Sequence, residues 1–355
     1  MKRIPLFFII LSSLLQNSEL FSQIGGRSTY SFLDLPYSAR VASLGGSMVP
    51  VKDDDLNLAL LNPALLNRSM DDHLTFTKTF YMADVNYYYL GYVKTWKKIG
   101  TFSYGVQAVD YGNFIQADPT GQITGSFTAA DYSYNIGYGK QLDSMFSIGA
   151  TVKTVYSHLE QYSSVGSLID LGANYNNTKR LFDASLVIKG IGYQWKTYTD
   201  GNHEPLPFQI QAAVSKKLSK APFRVSLVAQ HLEKWDLTYS DSVVLAASKD
   251  PITGVVPQQS KAAAFADKLG RHIVANVEML LGKNLSLRLG YNYERRKELE
   301  LEGHGGIAGL TFGVGVKIAM FNISYAYAQY NVAGASNHLT LTMNFGDFLK
   351  KKSAT

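Results

Sequence analysis

Asn337-His-Leu-Thr-Leu-Thr-Met-Asn-Phe345 alternates without a break. Leu339, Leu341, Met343 and Phe345 fall on one face, and His338, Thr340, Thr342 and Asn344 on the other. A period of two marks an extended strand with one apolar face. The stretch is close to the ~9–11 residues that a tilted strand needs to cross a bilayer. An aromatic residue at its end suits the girdle of an outer-membrane barrel, which makes Phe345 the candidate assembly signal. Alone, the strand would also suit a soluble sandwich; the rest of the chain separates the two.

Alternating segments recur near 73–80, 85–96, 99–110, 127–139, 145–158, 165–176, 182–192, 207–217, 223–232, 271–282, 285–296, 305–318 and 321–330, which with 337–345 makes fourteen. Phe102, Tyr104, Val106 and Ala108 form one apolar face; Phe146, Ile148, Ala150 and Val152 form another. Opposite faces carry Ser, Thr, Gly, Asn and Gln with scattered charges such as Lys153, Asp170, Arg224, Glu278 and Arg288. The connections sort by parity. Lys97-Lys98, Gln141–Ser144, Asn177–Arg180, Leu218–Pro222, Lys283-Asn284 and Ala319-Met320 are short. Between them lie Tyr111–Ser126, Leu159–Ser164, Tyr193–Leu206, Glu233–Gly270, Lys297–His304 and Asn331–Ser336, with Tyr81–Asp84 the one brief member. Short turns at one end and long loops at the other describe an outer-membrane barrel with its short side periplasmic. The fold class is therefore an all-β transmembrane protein, a 14-stranded antiparallel barrel over 71–346. An even strand number places both ends of the wall on the periplasmic side.

The N-terminus carries the marks of a cleavable signal peptide over 1–22: Lys2 and Arg3, an apolar run from Leu6 to Leu15, and small Ser22 at the cleavage position. Export places the barrel in the outer membrane. The mean hydropathy of −0.06 would pass for a soluble chain, because averaging erases alternation. With 23 Tyr, 30 Gly and 17% charged residues, the composition favours strands and interfacial aromatics. The absence of cysteine removes lipid attachment, disulfides and thiol chemistry together. A net charge of +6 is dispersed, with no basic block for nucleic acid. A short basic periplasmic tail, 347–355, ends the chain.

Residues 23–70 break the alternation. Pro36–Gly46 and Asp53–Asn67 read as short helices flanking a Gly45-Gly46 turn, with Pro63 interrupting the second. Asp53, Asp54 and Asp55 suit a helix N-terminus and lack the ligand spacing of a calcium loop. This segment reads as a polar-apolar plug packed into or under the barrel, with Asn62 and Pro63 as its candidate plug residues.

No catalytic, cofactor or metal constellation stands out. The histidines are dispersed, and no metalloprotease, nucleophile-elbow or phosphate-loop motif occurs. The protein reads as non-enzymatic. Glycines at 313 and 315 fit a curved strand. Trp195, Tyr198 and Trp235 lie in the long loops 193–206 and 233–270 and are candidate partner-binding anchors, although a membrane girdle suits Trp195 and Trp235 equally. Thr199–Asn202 is a turn, Arg295–Glu300 begins a solvated loop that could meet lipopolysaccharide phosphate, and Pro257–Gly270 reads as a short helix over the mouth. The inward faces are polar and Gly-rich, which favours a packed scaffold over a transporter needing an apolar pocket of several hundred Å³.

Several stretches carry a resemblance: Gly25–Tyr30, Leu35-Pro36, Ala39-Arg40, Leu44–Gly46, Asn57–Ala64, Tyr198–Phe208, Leu287–Glu294 and Gly334–His338. Together they resemble the PorQ family of type IX secretion proteins. The Asn62-Pro63-Ala64 start is similar also to FadL-like barrels and to the related PorV proteins. The resemblance implies a fourteen-strand FadL-like barrel with an N-terminal plug, acting without enzymatic chemistry as a scaffold in an attachment complex. There it would anchor a PorZ-like surface protein beside other attachment-complex subunits, where cargo is joined to lipopolysaccharide. The alternative is a FadL-like transporter of hydrophobic solutes, whose molecules would pass into or through the wall.

The loop parity yields a topological test. Cysteines at Asn202 and Asp250 should react with an impermeant label on whole cells, whereas Lys98→Cys should stay unlabelled. Labelling at residue 98 alone would invert the barrel.

Overall fold

The computed structural model describes residues 28–238, 260–299, 307–331 and 334–346. The expected signal peptide (1–22), the basic tail (347–355) and much of the Glu233–Gly270 loop lie outside the described residues. Fourteen strands form one closed antiparallel barrel: β1 His73–Phe80, β2 Asn86–Trp96, β3 Gly100–Ala117, β4 Ile123–Gln141, β5 Phe146–Leu159, β6 Tyr162–Asn177, β7 Phe182–Lys196, β8 Gln209–Lys217, β9 Phe223–Ala229, β10 Ile273–Leu281, β11 Leu285–Asn292, β12 Leu310–Ile318, β13 Phe321–Asn331 and β14 Gly334–Asn344. Each strand pairs with its sequence neighbours, and β14 closes on β1 from His73↔Asn344 to Phe80↔Asn337.

Burial along β14 is the inverse of a soluble strand. Leu339 and Leu341 are 49% and 42% exposed, whereas His338 and Thr340 are 0% and 3% exposed. An apolar face turned outward all round a closed wall is a membrane face, and an alternation of apolar-out and polar-in is that of an outer-membrane barrel. Aromatic pairs gather at the short-turn rim: Trp96 meets Phe102 at 5.0 Å, Phe102 meets Tyr138 at 4.9 Å and Phe146 meets Tyr175 at 5.0 Å. Rings at this level suit the lipid–water boundary. On the lumen side of the β1/β14 seam, Thr75 and Thr342 share a hydrogen bond at 2.9 Å, Thr77 and Thr340 at 2.8 Å, and Thr79 and His338 at 2.9 Å.

Several boundaries differ from the sequence reading. The expected loop Tyr111–Ser126 is mostly strand, since β3 and β4 run for 18 and 19 residues and leave only Asp118–Gln122 as a tip. The register shifts between Asp110 and Asn113, where Gly112 takes a φ of 81°, and again between Gln116 and Ala117. This bulge and the polar residues after it hide the continuation. Leu159–Ser164 shrinks to Glu160-Gln161, so the sorting of loop lengths holds mainly after β7. The expected strand 285–296 stops at Asn292, and Tyr293–Leu299 forms a helix, α3. The mouth helix is present as α2, Lys261–Arg271, capped by the Ser260 hydroxyl.

The plug is less helical than its sequence suggests. Among its described residues only Ala39–Ser43 is α-helix (α1), N-capped by Ser38. The rest is single 3-10 turns at Ser31–Asp34, Leu56–Leu60, Pro63–Leu65 and Arg68–Met70. Asp55, Asn62 and Asn67 each accept the amide two residues on, and repeated local capping of this kind competes with a continuous helix. The path runs down the lumen. Thr29 N–H donates to the Pro205 carbonyl at the long-loop mouth, and the Arg68 guanidinium donates to the Lys97 carbonyl at the short-turn end. Both ends of the wall therefore lie on the short-turn side, while residue 28 stands at the opposite mouth.

Lumen-facing glycines make room for this path. A Cβ at Gly149 would lie 2.3 Å from the Pro63 carbonyl carbon, and one at Gly172 would lie 2.1 Å from Asn62 Oδ1. Gly313 likewise faces Ser43 of α1 at 2.4 Å, a closer reason for glycine there than strand curvature. Gly149→Leu should therefore cost about 1–3 kcal/mol by overpacking, seen as a lower temperature for the gel-mobility shift of the folded barrel. The lipid-facing neighbour change Ala150→Leu should leave that temperature unchanged.

Candidate functional site

The lumen is filled by the plug. Leu44, Leu58 and Leu65 are fully buried, and Tyr37 packs edge-on against Tyr89 with ring centres 5.0 Å apart. Asn62 is buried at the centre, its amide donating to the Val49 carbonyl at 2.8 Å and to Ser185 Oγ at 3.1 Å. Pro63 opens the next turn, where its missing N–H costs nothing. The Tyr37 hydroxyl donates to the Asn57 carbonyl.

A charge cluster ties the plug to the wall near the short turns. Arg40 reaches Glu278 Oε1 through Nε at 2.9 Å, Asp53 at 2.8 Å and Asp55 at 3.2 Å. Glu278, on β10, also receives Arg224 from β9 at 3.0 Å and Arg288 from β11 at 3.4 Å. Three guanidinium groups face three carboxylates, so the cluster balances its own charge. Such pairs hold position more than they add stability, because desolvation offsets the attraction. Asp53 and Asp55 thus serve Arg40, and Asp55 also caps its turn as the sequence suggests. Below the plug, a polar basin of about 580 Å³ is lined by Lys52, Arg68, Lys97, Lys98 and Lys140.

The long-loop end differs in chemistry. A cleft of about 550 Å³ lies between the start of the plug and the rim, lined by Thr29, Tyr30, Tyr111, Asp131, Leu159, Tyr162, Tyr198 and Glu204. Farther round the rim, Leu232, Trp235, Phe265 and Leu269 are exposed. Trp235 stacks on His272 and tilts against Phe265, both at 5.7 Å between ring centres. Lys268 reaches Asp236 at 2.5 Å, and this bond, with those from Thr238, holds the Asp236 carboxyl well below the usual carboxylate range. Burial opposes protonation of His231, but its hydrogen bond to Glu233 at 3.1 Å and the nearby Glu294 outweigh it and raise the imidazole pKa.

The three sequence-selected aromatics stand apart. Trp195 belongs to β7 rather than a loop; it faces outward, 65% exposed, against Tyr193 at 5.3 Å. Tyr198 is half-buried in the cleft and donates to Ser157 Oγ at 2.6 Å. Trp235 alone sits on an exposed rim platform. Phe345 follows the last residue of β14, and its amide donates to the Asp72 carbonyl at 2.9 Å. Sequence reasoning missed Arg40, Asp131 and Tyr111. Arg224, Glu278 and Arg288 were visible as polar-face charges, and the available signal was that such charges in a closed lumen need partners.

No protein-family model matches the chain, and no curated protein does. Solved structures similar to it are outer-membrane channels. The toluene transporter TodX of Pseudomonas putida is 14% identical, with a TM-score of 0.48 over 87% of this chain and 96% of that chain. The monoaromatic hydrocarbon channel CymD is 13% identical, with a TM-score of 0.48 over 86% and 96%. A FadL homologue of Pseudomonas aeruginosa is 11% identical, with a TM-score of 0.45 over 87% and 98%. The similarity is one of barrel architecture.

Glu278→Gln should free the plug. It leaves the guanidinium groups of buried Arg40 and Arg288 and of partly buried Arg224 with too little negative charge, and breaking a buried pair from one side costs about 3–5 kcal/mol. Planar-bilayer recordings should then show openings that the unaltered barrel lacks. A silent variant with unchanged thermal stability would mean that apolar packing alone holds the plug.

Proposed function

We propose that this protein is a closed, non-enzymatic outer-membrane anchor whose long-loop face carries a surface partner of a type IX secretion attachment complex. The observation that carries the reading is the pairing of a filled lumen with an exposed aromatic platform on the rim. Among the described residues the lumen is packed by Leu44, Leu58 and Leu65 and tied by Arg40. A platform of Leu232, Trp235, Phe265 and Leu269 has the composition of an interface centre, with an aromatic anchor and flanking aliphatic groups. The resemblance to the PorQ family supplies the partner class: a PorZ-like surface protein, with lipopolysaccharide as the neighbouring lipid.

A second reading is entry of a hydrophobic solute, the kind of activity named for TodX and CymD. The cleft beside Tyr30, Leu159 and Tyr162 favours it, being of the size that holds a small molecule and open to the outer mouth.

The double change Trp235→Ser, Phe265→Ser separates the two. For an anchor, the heat-modifiable barrel persists while partner retained in the membrane and cargo displayed on the cell fall by about tenfold or more, as for loss of a hot spot. Intact display with altered uptake of a hydrophobic solute would instead support the second reading.

A further inference from the structure

The short-turn end holds a basin that carries positive charge on both of its walls. It encloses about 580 Å³ between the plug and the ends of β2, β3, β4 and β6. Lys52 and Arg68 come from the plug, Lys97 and Lys98 from the β2–β3 turn, and Lys140 from β4. Among the described residues, Asp53 is the one carboxylate in this lining, and it is engaged elsewhere. Its Oδ2 meets Arg40 at 2.8 Å and Arg224 at 3.5 Å, and its Oδ1 accepts the Asp55 amide at 3.1 Å. In the adjoining turn, Asp143 accepts the Met145 and Phe146 amides, both at 2.7 Å. Lys52 donates to the neutral Ser147 hydroxyl at 3.0 Å, and Arg68 to the Lys97 carbonyl at 3.0 Å. Deeper in the lumen cations are matched: Arg40 meets three carboxylates, and Lys153 meets Asp170 at 2.7 Å. Around the basin, Arg68, Lys97, Lys98 and Lys140 are instead exposed to solvent.

We propose that this basin docks an acidic peptide segment of a soluble partner on the short-turn side, the side that outer-membrane barrels turn to the periplasm. Lysine is a compact point charge on a flexible stem, suited to meeting carboxylates one by one. Five cations on two walls exceed what a single phosphate can contact, whereas a chain with several carboxylates can meet them in turn. Gln141 and Asn176 add amide groups able to donate and accept, as a peptide backbone requires. Leu66 and Trp96 offer apolar contact beside them. The chain's own end has the wrong charge, with Lys350, Lys351 and Lys352 against Asp347 after Gly346. Lipid headgroups surround the wall from outside, whereas Lys52 and Arg68 belong to the plug within it. The basin stands at the opposite end of the barrel from Trp235, and its reading does not rest on the anchor role.

The test uses the full-length protein in uncharged detergent micelles and two fluorescent peptides of about ten residues, one alternating Glu with Gly, the other Gln with Gly. Anisotropy should show the Glu peptide binding about tenfold or more tightly, as charge complementarity requires, and weakening as salt is raised. The triple change Lys97→Gln, Lys98→Gln, Lys140→Gln should remove the preference. Lys216→Gln, Lys217→Gln, Lys220→Gln takes the same charge from around the β8–β9 turn and should keep it. All six side chains are exposed, and the gel-mobility shift checks that each barrel is folded. The two peptides are compared on the unaltered protein without any variant. Equal binding of both peptides, no binding of the Glu peptide, or equal loss in the two triple variants would overturn the proposal, the last by showing only a diffuse field. Displacement of the Glu peptide by phosphatidylglycerol added to the micelles would overturn it too, by making the basin a headgroup site.

Discussion

Backbone closure is the constraint from which the rest of this molecule follows. In hydrocarbon, an unpaired N–H or C=O has no water to turn to, so a sheet must have no edge. The pairing of β14 with β1 removes the last one, over eight residues of unbroken register. Once the wall is closed, alternation forces each strand to turn one face to lipid and the other to the lumen. The apolar face goes outward because the solvent there is apolar. Polar residues such as Thr75, Thr77, Thr340 and Thr342 are left facing inward, and they satisfy one another across the seam.

Closure creates a second problem, the interior. A lumen lined by hydroxyls, amides and charges would ordinarily hold water, yet here it holds an apolar peptide. The match is made by backbone rather than by side-chain polarity. Glycines at 149 and 172 let the Pro63 turn and Asn62 approach the wall, and Asn62 and Asn174 donate to plug carbonyls at Val49 and Pro50. Short 3-10 turns suit this better than a long helix, since they leave more carbonyls free to meet the wall's donors. The polar inward face thus becomes a set of partners for irregular backbone, which is tolerated at membrane depth only when buried in protein.

The wall was legible because period-two alternation survives over much of each strand, and each of the fourteen segments overlaps one strand of the barrel. What stayed hidden has definite causes. The upper halves of β3 and β4 lose the pattern at the Gly112 bulge. Continuous helix in the plug is cancelled by the capping side chains Asp55, Asn62 and Asn67, whose preference for turns outweighs the apolar spacing around them. The charge cluster joins Arg40 to a residue 238 positions away, and no local pattern encodes a contact set by barrel closure. The same holds for Asp131: on β4 it reads as one more polar inward residue, and only the arrival of Tyr111 from β3 and Tyr198 beyond β7 reveals that it stands in a tyrosine-lined cleft. Trp195 and Trp235 looked equivalent because the sequence places both beyond a strand, whereas the actual end of β7 turns one to the lipid-facing side.

The two mouths now differ in a way that suits a one-sided role. At the short-turn end, Lys52, Arg68, Lys97, Lys98 and Lys140 surround a polar basin beneath the plug, and Arg40 ties the plug to β10. At the long-loop end, the rim rises along β3 to β7, whose strands reach 14 to 19 residues, while β8 to β12 stop at 7 to 9. At about 3.3 Å per residue the difference is large enough to leave a step in the rim. The acidic, tyrosine-lined cleft lies against the tall side and the Trp235 platform over the low side. The cleft and the platform thus stand on strands of unequal length and share no residue.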